Sequence, residues 1–282
     1  MNWNMVAYPS RIEIMLKQFF EKISWRPEHI TIYSAGLTDV GQKRDHNEDN
    51  HLIDEHLGLF VVADGMGGHE AGEVASKLAI DTIFNRLKDF ETLYKKKKEK
   101  NVANIVNTLL QEAVEEANNK THAQNIANGQ PEGRGMGTTV TGFLISALNP
   151  SKQRKLYSFN VGDSRIYSFL KGKLTQLSTD HSHYQLWLDT GKEGKAPRSN
   201  IIYKAIGPWS RIIADQQVFP IHSSEIFLLC SDGLSDMLSD EEIGHIMRTN
   251  RKNPLKQMAQ SLIDAANEAG GKDNITVILV KP

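Results

Sequence analysis

One cysteine, Cys230, is all that the 282 residues contain, which excludes an internal disulfide framework and a multi-thiolate zinc site and fits a reducing compartment. An excess of one charge is missing too. Lys and Arg number 33 against 34 Asp and Glu, so no global field draws the chain to nucleic acid or to an anionic membrane. No window reaches the ~18 unbroken apolar residues of a membrane span, and the first residues lack the pattern of a signal peptide. The expectation is a cytoplasmic protein with no nucleic-acid partner and no membrane span. Its 39% hydrophobic residues suffice for the core of one large domain.

Within RIEIMLKQFFEKISW, Ile12, Met15, Leu16, Phe19, Phe20 and Ile23 recur at helical spacing, so residues 1–32 are expected to be an extension with one amphipathic helix. From 33 to 282 a single domain is expected. Two long helical stretches, 72–90 and about 101–128, interrupt short apolar runs, with YKKKKEK at 94–100 as a solvated link between them. GTTVTGFLISAL, KLYSFNVGDSRIYSFLKGKLTQL and SEIFLLCSDG read as strands, with a hairpin turn at Lys171-Gly172. A helix near 253–269 precedes a final strand over 275–280. Strands with grouped helices point to an α+β fold of antiparallel sheets carrying helices on their outer faces.

The stretch LFVVADGMGGHEAGEVAS has glycines between a strand and a helix, as nucleotide-binding loops do. A phosphate cradle is nonetheless excluded. Gly67 and Gly72 have the P-loop separation, but Glu73 and Val74 stand where Lys and Ser or Thr belong, and Glu70 occupies a glycine position of the dinucleotide fingerprint. Acids here would repel a phosphate that came without a cation. Asp64, with the bare carbonyl of Gly65 beside it, suits a hard divalent cation.

A lone Asp-Gly is most often a turn. Here it recurs: IFLLCSDG ends on Asp232-Gly233, GGKDNITVILV sets Asp273 before an apolar strand, and FNVGDSRIY carries Asp163. Carboxylates clustered beside a core would repel one another and protonate unless a cation compensates them. TDVGQKRDHNED adds Arg44, Glu48 and Asp49.

Five motifs, TDVGQKRDHNED, VVADGMGGHEAGEVAS, GMGTTVTG, NVGDSRIY with LSTDHS, and CSDGLSD with GGKDNITVILV, resemble in order those of the PP2C (PPM) metal-dependent serine/threonine protein phosphatases. The form DGMGGHEAGEVAS is similar to the bacterial branch. The resemblance implies a four-layer αββα sandwich, two central antiparallel sheets flanked by helix pairs, with a centre for two Mn²⁺ or Mg²⁺ ions at one edge. Asp64 resembles the bridging ligand, Gly65 gives its carbonyl, and Asp232 and Asp273 complete the set. Glu48, Asp49 and Asn274 resemble positions that touch the cations through water or hold their ligands. Asp163, with Asp236 nearby, resembles a third, weaker site; the competing reading is a turn aspartate paired to Ser164 or Arg165. Arg44 resembles the phosphate-binding arginine, and with Asp64 forms the implied catalytic pair.

The implied chemistry is direct hydrolysis of phosphoserine and phosphothreonine in proteins, by hydroxide generated between two cations and without a phosphoenzyme. It implies phosphoprotein substrates, a cognate serine/threonine kinase to oppose, and a monomer. Cys230, inside an apolar strand, is read as core. Many eukaryotic members have histidine where this chain has Met66; His69 is the candidate proton donor, against a plain loop position. Residues 191–197 are about five short of the bacterial flap pattern. His181 and His183 are read as turn residues rather than metal ligands. Two rival functions stay open, a regulatory module that has lost catalysis and a phosphatase of small esters.

Overall fold

Strands such as Leu59–Ala63 are buried at every position, which happens when a sheet is covered on both faces. In the computed structural model both main sheets are of this kind. The structure describes residues 31–67, 71–90, 92–93, 101–146, 153–198 and 200–282; the helix expected over 12–23, the link at 94–100 and His69 lie outside them. Ile32–Pro282 form one compact unit.

The first sheet contains β1 (Tyr33–Asp39), β8 (Arg165–Leu170), β9 (Lys173–Gln176), β11 (Ile226–Cys230) and β12 (Ile275–Lys281), in the order β1-β12-β11-β8-β9. The second contains β2 (Asn50–Asp54), β3 (Leu59–Ala63), β6 (Val140–Ser146), β7 (Lys155–Val161) and β10 (Asp215–Pro220), in the order β10-β7-β6-β3-β2. All neighbours are antiparallel. A short ribbon joins β4 (Gly65–Met66) to β5 (Gly137–Thr138). The expected hairpin joins β8 to β9, with Lys171 at φ 52° and Gly172 at φ 82°, as a two-residue turn matching strand twist requires.

The period of two in each strand sorts its side chains into layers. Leu59, Val61 and Ala63 of β3 join a core with α1 (Ala71–Leu87) and α2 (Val102–Ala127). Phe60, the alternate residue, meets Phe143 of β6, whose ring meets Phe227 of β11 across the two sheets, at centroid distances of 5.4 and 5.6 Å. Beyond the first sheet, Leu228, Cys230, Val277 and Leu279 pack against α5 (Asp240–Thr249) and α6 (Leu255–Glu268). Four layers result, helices, sheet, sheet and helices, as expected. Burial pushes the Cys230 thiol up to about 12, which makes it an inert core residue.

Three helices were not legible as helices: α3 (His183–Asp189), α4 (Asp232–Ser235) and α5. α5 is the partner that completes the second helix pair. It opens on a capping box between Ser239 and Glu242 and buries only Ile243, Gly244 and Met247, a short stripe hidden among acids. No described helix is long and apolar enough to cross a membrane.

Candidate metal centre

Antiparallel pairing gathers the motifs at one edge. Cys230, the end of β11, pairs with Val277 near the start of β12 and with Arg165 at the start of β8; Asp39, the end of β1, pairs with Ile275. Asp232, Asp273, Asp163 and the loop from Asp39 to Asp49 therefore share that edge. β3 ends on the same side, since Val62 pairs with Thr141 and Val140 with Val161, and Asp64 follows it.

The glycines beside these aspartates are explained by backbone crowding. A Cβ on Gly65 would overlap the carbonyl of Gly72 and lie 2.6 Å from that of Glu48. One on Gly233 would overlap the Asn274 carbonyl, and one on Gly72 would lie 2.6 Å from Glu48 Oε2. Each Asp-Gly step is thus a point where two chain segments cross at backbone distance, and only glycine fits.

Buried Asn274 straps the arginine-bearing loop to the edge. Its Oδ1 accepts from the Glu48 N–H at 2.8 Å, and its Nδ2 donates to the carbonyls of Val40 and His46, both at 2.9 Å. Asp64 is fixed through its backbone: its N–H donates to Thr139 Oγ1 at 3.0 Å, and its carbonyl accepts from the Thr139 N–H at 2.8 Å and Thr138 Oγ1 at 2.9 Å. Buried Asp49 lies behind the cleft wall, its Oδ2 accepting from Ser231 Oγ at 2.7 Å and Thr276 Oγ1 at 2.6 Å.

An open cleft of about 680 Å³ runs along this edge, with Arg44, Glu48, Asp64, Asp163, Asp232 and Asp273 on its walls. Lys43 and His46 line it too, and Asn200 and Ile202 bring the flap to its rim. None of these four was singled out from the sequence, although Lys43 and His46 lie within TDVGQKRDHNED. Asp236 is not among the lining residues; it is exposed, and close enough to raise the carboxyls of Asp163 and Asp232 by its charge.

Burial and mutual repulsion govern the carboxylates. Burial holds Asp64 and Asp232 well above the ordinary range, and neighbouring charges, led by Asp49 for the one and Asp163 for the other, push them further. Burial lifts Asp49 to about 6 and, with the charge of Asp180, Asp163 to about 7. The partners that would make Asp163 a turn residue are engaged elsewhere. Ser164 Oγ meets Thr139 Oγ1 at 2.8 Å, and Arg165 grips Asp180 through Nε at 3.0 Å and Nη2 at 2.7 Å.

His181 holds the turn before Asp163. Its Nδ1 accepts from the Gly162 N–H at 2.9 Å, so Nε2 carries the proton toward Asp215 at 3.1 Å, and burial lowers its pKa. The flap that follows is pinned at its base, where His183 N–H donates to the Ile201 carbonyl and Tyr203 N–H to that of His181.

The donor set fits a hard divalent cation. Every candidate donor is oxygen, and the buried Oδ1 atoms of Asp232 and Asp49 have no hydrogen-bond partner among the described residues, a costly arrangement unless a cation or its water satisfies them. The ligands do not close into a cage: among the described residues no three His, Cys, Asp or Glu side chains converge as a metal-holding group. Asp273 is the reason in part, because its Oδ2 accepts from Arg44 Nη2 at 2.7 Å. Burial opposes the Arg44 charge, yet Asp273, Glu48 and Asp64 hold its pKa above the ordinary value.

A stability prediction follows for protein kept in chelator. A carboxylate whose folded pKa is raised binds more protons folded than unfolded, so stability falls as pH rises from the unfolded value to the folded one. With Asp49, Asp64, Asp163, Asp232 and Asp236 all raised, the melting temperature should fall from about pH 4 to about 7. Half-buried His51 and buried His181, both lowered by burial, act the other way and are outnumbered. Melts across that range check this, with Mn²⁺ at pH 7 restoring stability; a melting temperature that climbs steadily with pH would contradict it.

Fold and cleft together define a class, a four-layer α+β sandwich with an acidic oxygen-donor cleft and an arginine at its mouth. The family description "Protein phosphatase 2C" matches residues 41–279. The serine/threonine phosphatase Stp of Listeria innocua is 36% identical over 252 residues, covering 86% of this chain and 93% of that protein. Protein phosphatase PhpP of Streptococcus pneumoniae is 36% identical over 253 residues, covering 86% and 95%. Among solved structures, the catalytic domain of the serine/threonine protein phosphatase PstP, in complex with two manganese ions, superposes with a TM-score of 0.70 at 30% identity, covering 89% of this chain and 97% of that one. The chain belongs to the protein phosphatase 2C family.

Proposed function

We propose that the protein is a metal-dependent phosphatase that removes phosphate from phosphoserine and phosphothreonine of proteins, opposing a serine/threonine kinase in the cytoplasm and acting as a monomer. The observation that carries this reading is the cleft itself, where half-buried, mutually repelling carboxylates line an open channel together with an arginine. Asp64, the Gly65 carbonyl, Asp232 and Asp273 would hold two Mn²⁺ or Mg²⁺ ions, and Asp163 with Asp236 a third. Such cations supply Lewis-acid charge and a nucleophile available at neutral pH. The chain's own groups do the positioning. Asn274 fixes Glu48 and the loop that carries Arg44, while Ser231 and Thr276 hold Asp49 against the base of the site.

Arg44 meets Asp273 through one nitrogen, which leaves its other N–H donors for phosphate oxygens. A planar guanidinium can take two such oxygens at once, which an ammonium cannot reproduce. Arg44→Ala should raise KM for a phosphothreonine peptide by about tenfold or more, and Arg44→Lys should recover only part of the loss. Steady-state phosphate release in Mn²⁺, measured on phosphopeptides and on p-nitrophenyl phosphate, tests both the role and the substrate class. Equal kinetics for Arg44→Ala and the parent would remove the role; turnover confined to the small ester would remove the protein substrate.

A further inference from the structure

A second groove, of about 390 Å³, adjoins the cleft, and Gly67 lines both. Its remaining wall includes Asn125, Asn128, Gln130, Arg134 and Met136, with no carboxylate among the described lining residues. This contrasts with the acidic cleft next door. Resting on the phosphatase reading, we propose that Arg134 reads an acidic side chain of the phosphorylated substrate, placed a few residues from the phosphate.

Arg134 is exposed and has no carboxylate partner among the described residues. Its loop, by contrast, is rigidly anchored. Buried Asn125 donates from Nδ2 to the Met136 carbonyl at 2.8 Å and accepts the Met136 N–H on Oδ1 at 2.9 Å, and Gly133 N–H donates to the Pro208 carbonyl at 2.8 Å. Gly135, at φ +98°, makes the bend, and a Cβ there would overlap Asn125 Oδ1. The loop's acid, Glu132, is drawn to Ser210, whose Oγ and N–H it accepts at 2.8 and 3.3 Å. A buried asparagine that holds the turn, with Glu132 bonded to Ser210, fixes the backbone from which the Arg134 side chain extends beside the groove.

An extended peptide advances ~3.3 Å per residue. With its phosphate held at Arg44 and the cation ligands, a substrate leaving the cleft past Gly67, which has no side chain to block it, reaches the groove within a few residues. A carboxylate or a second phosphate there meets the five-donor fork of an arginine, the side chain best shaped for either. Arg134 is thus a specificity-determining residue, not a catalytic one.

The test uses the full chain in Mn²⁺ and a neutral phosphothreonine peptide, varied by placing Glu, phosphoserine or Lys singly at each nearby position on either side. The expected result is a position at which Glu raises kcat/KM by about two- to fivefold, carried by KM, as a charge-assisted contact at an exposed site allows. Arg134→Ala should bring the ratio of Glu to neutral peptide to about one. Arg134→Glu should invert it in favour of the Lys peptide, a gain that a misfolded chain cannot show. Phosphoserine exceeding Glu would identify a second phosphate as the group read, and equality a carboxylate. A Glu preference unchanged in both variants, or absent from the parent, would overturn the proposal. Failure to hydrolyse even the neutral peptide would instead strike at the phosphatase reading beneath it, and this inference would fall with it.

Discussion

Asp232→Asn should cut metal-dependent phosphate release by about a hundred- to a thousandfold, the range found when one electrostatic stabiliser is removed from a reacting centre. The same substitution should raise the melting temperature of the chelated protein at neutral pH. Asp232 is half-buried, its carboxyl is forced upward by burial and by Asp163, Asp273 and Asp236, and its buried Oδ1 has no hydrogen-bond partner among the described residues. Without a cation its charge is a liability to the fold. An amide of the same shape removes the repulsion, and each 1 kcal/mol so relieved is worth about 2–4 °C in a domain of this size. Opposite signs for activity and apo stability separate a cation ligand from a structural aspartate, whose loss would lower both.

The second large effect is expected at Gly65. Alanine there would drive its methyl into the Gly72 carbonyl and against that of Glu48, two backbone atoms that no side-chain rotation can move. Overpacking of this kind costs about 1–3 kcal/mol, or about 2–12 °C at 2–4 °C per kcal/mol. The shift falls on the strand end that carries Asp64, so Mn²⁺-dependent turnover should drop by about a hundredfold or more, since small misplacements at a reacting centre cost that much. Gly129→Ala is the control: its added methyl would meet nothing within 4 Å, so only its φ of 73° resists the change. Melting curves and phosphate release on both variants check this; a Gly65→Ala enzyme with parental turnover would refute the crowding account of the Asp-Gly steps.

The aspartates were legible because chemistry and pattern coincide in them. An apolar run ending on a carboxylate and a glycine is conspicuous in one strand and compelling in two, with Asp163 and Asp273 at further strand edges. The order of elements was legible for a similar reason, since Leu59–Ala63 and Ile226–Cys230 are short, wholly apolar and flanked by turn residues. What one chain could not disclose is which strands lie side by side. The pairing of β1 with β12, which sets Arg44 against Asp273, depends on residues more than 200 positions apart. The Arg165–Asp180 ion pair and the hydrogen bond from Tyr167 Oη to Asp240 leave no periodic trace either. α3 buries none of its residues and is only seven residues long, too short for its apolar residues to establish a helical period. Arg134 lies outside every quoted motif, and its setting depends on the turn that Asn125 holds.

On the reading proposed above, divalent cations held by Asp64, Asp232 and Asp273 make this protein a phosphatase. Phosphate release from a phosphothreonine peptide, followed as Mn²⁺ is titrated into chelated enzyme beside Asp64→Asn, tests it most directly. The account predicts release that is absent in chelator, saturates with Mn²⁺ and is lost in the variant. Release that ignores the chelator, or that survives Asp64→Asn unchanged, would contradict it.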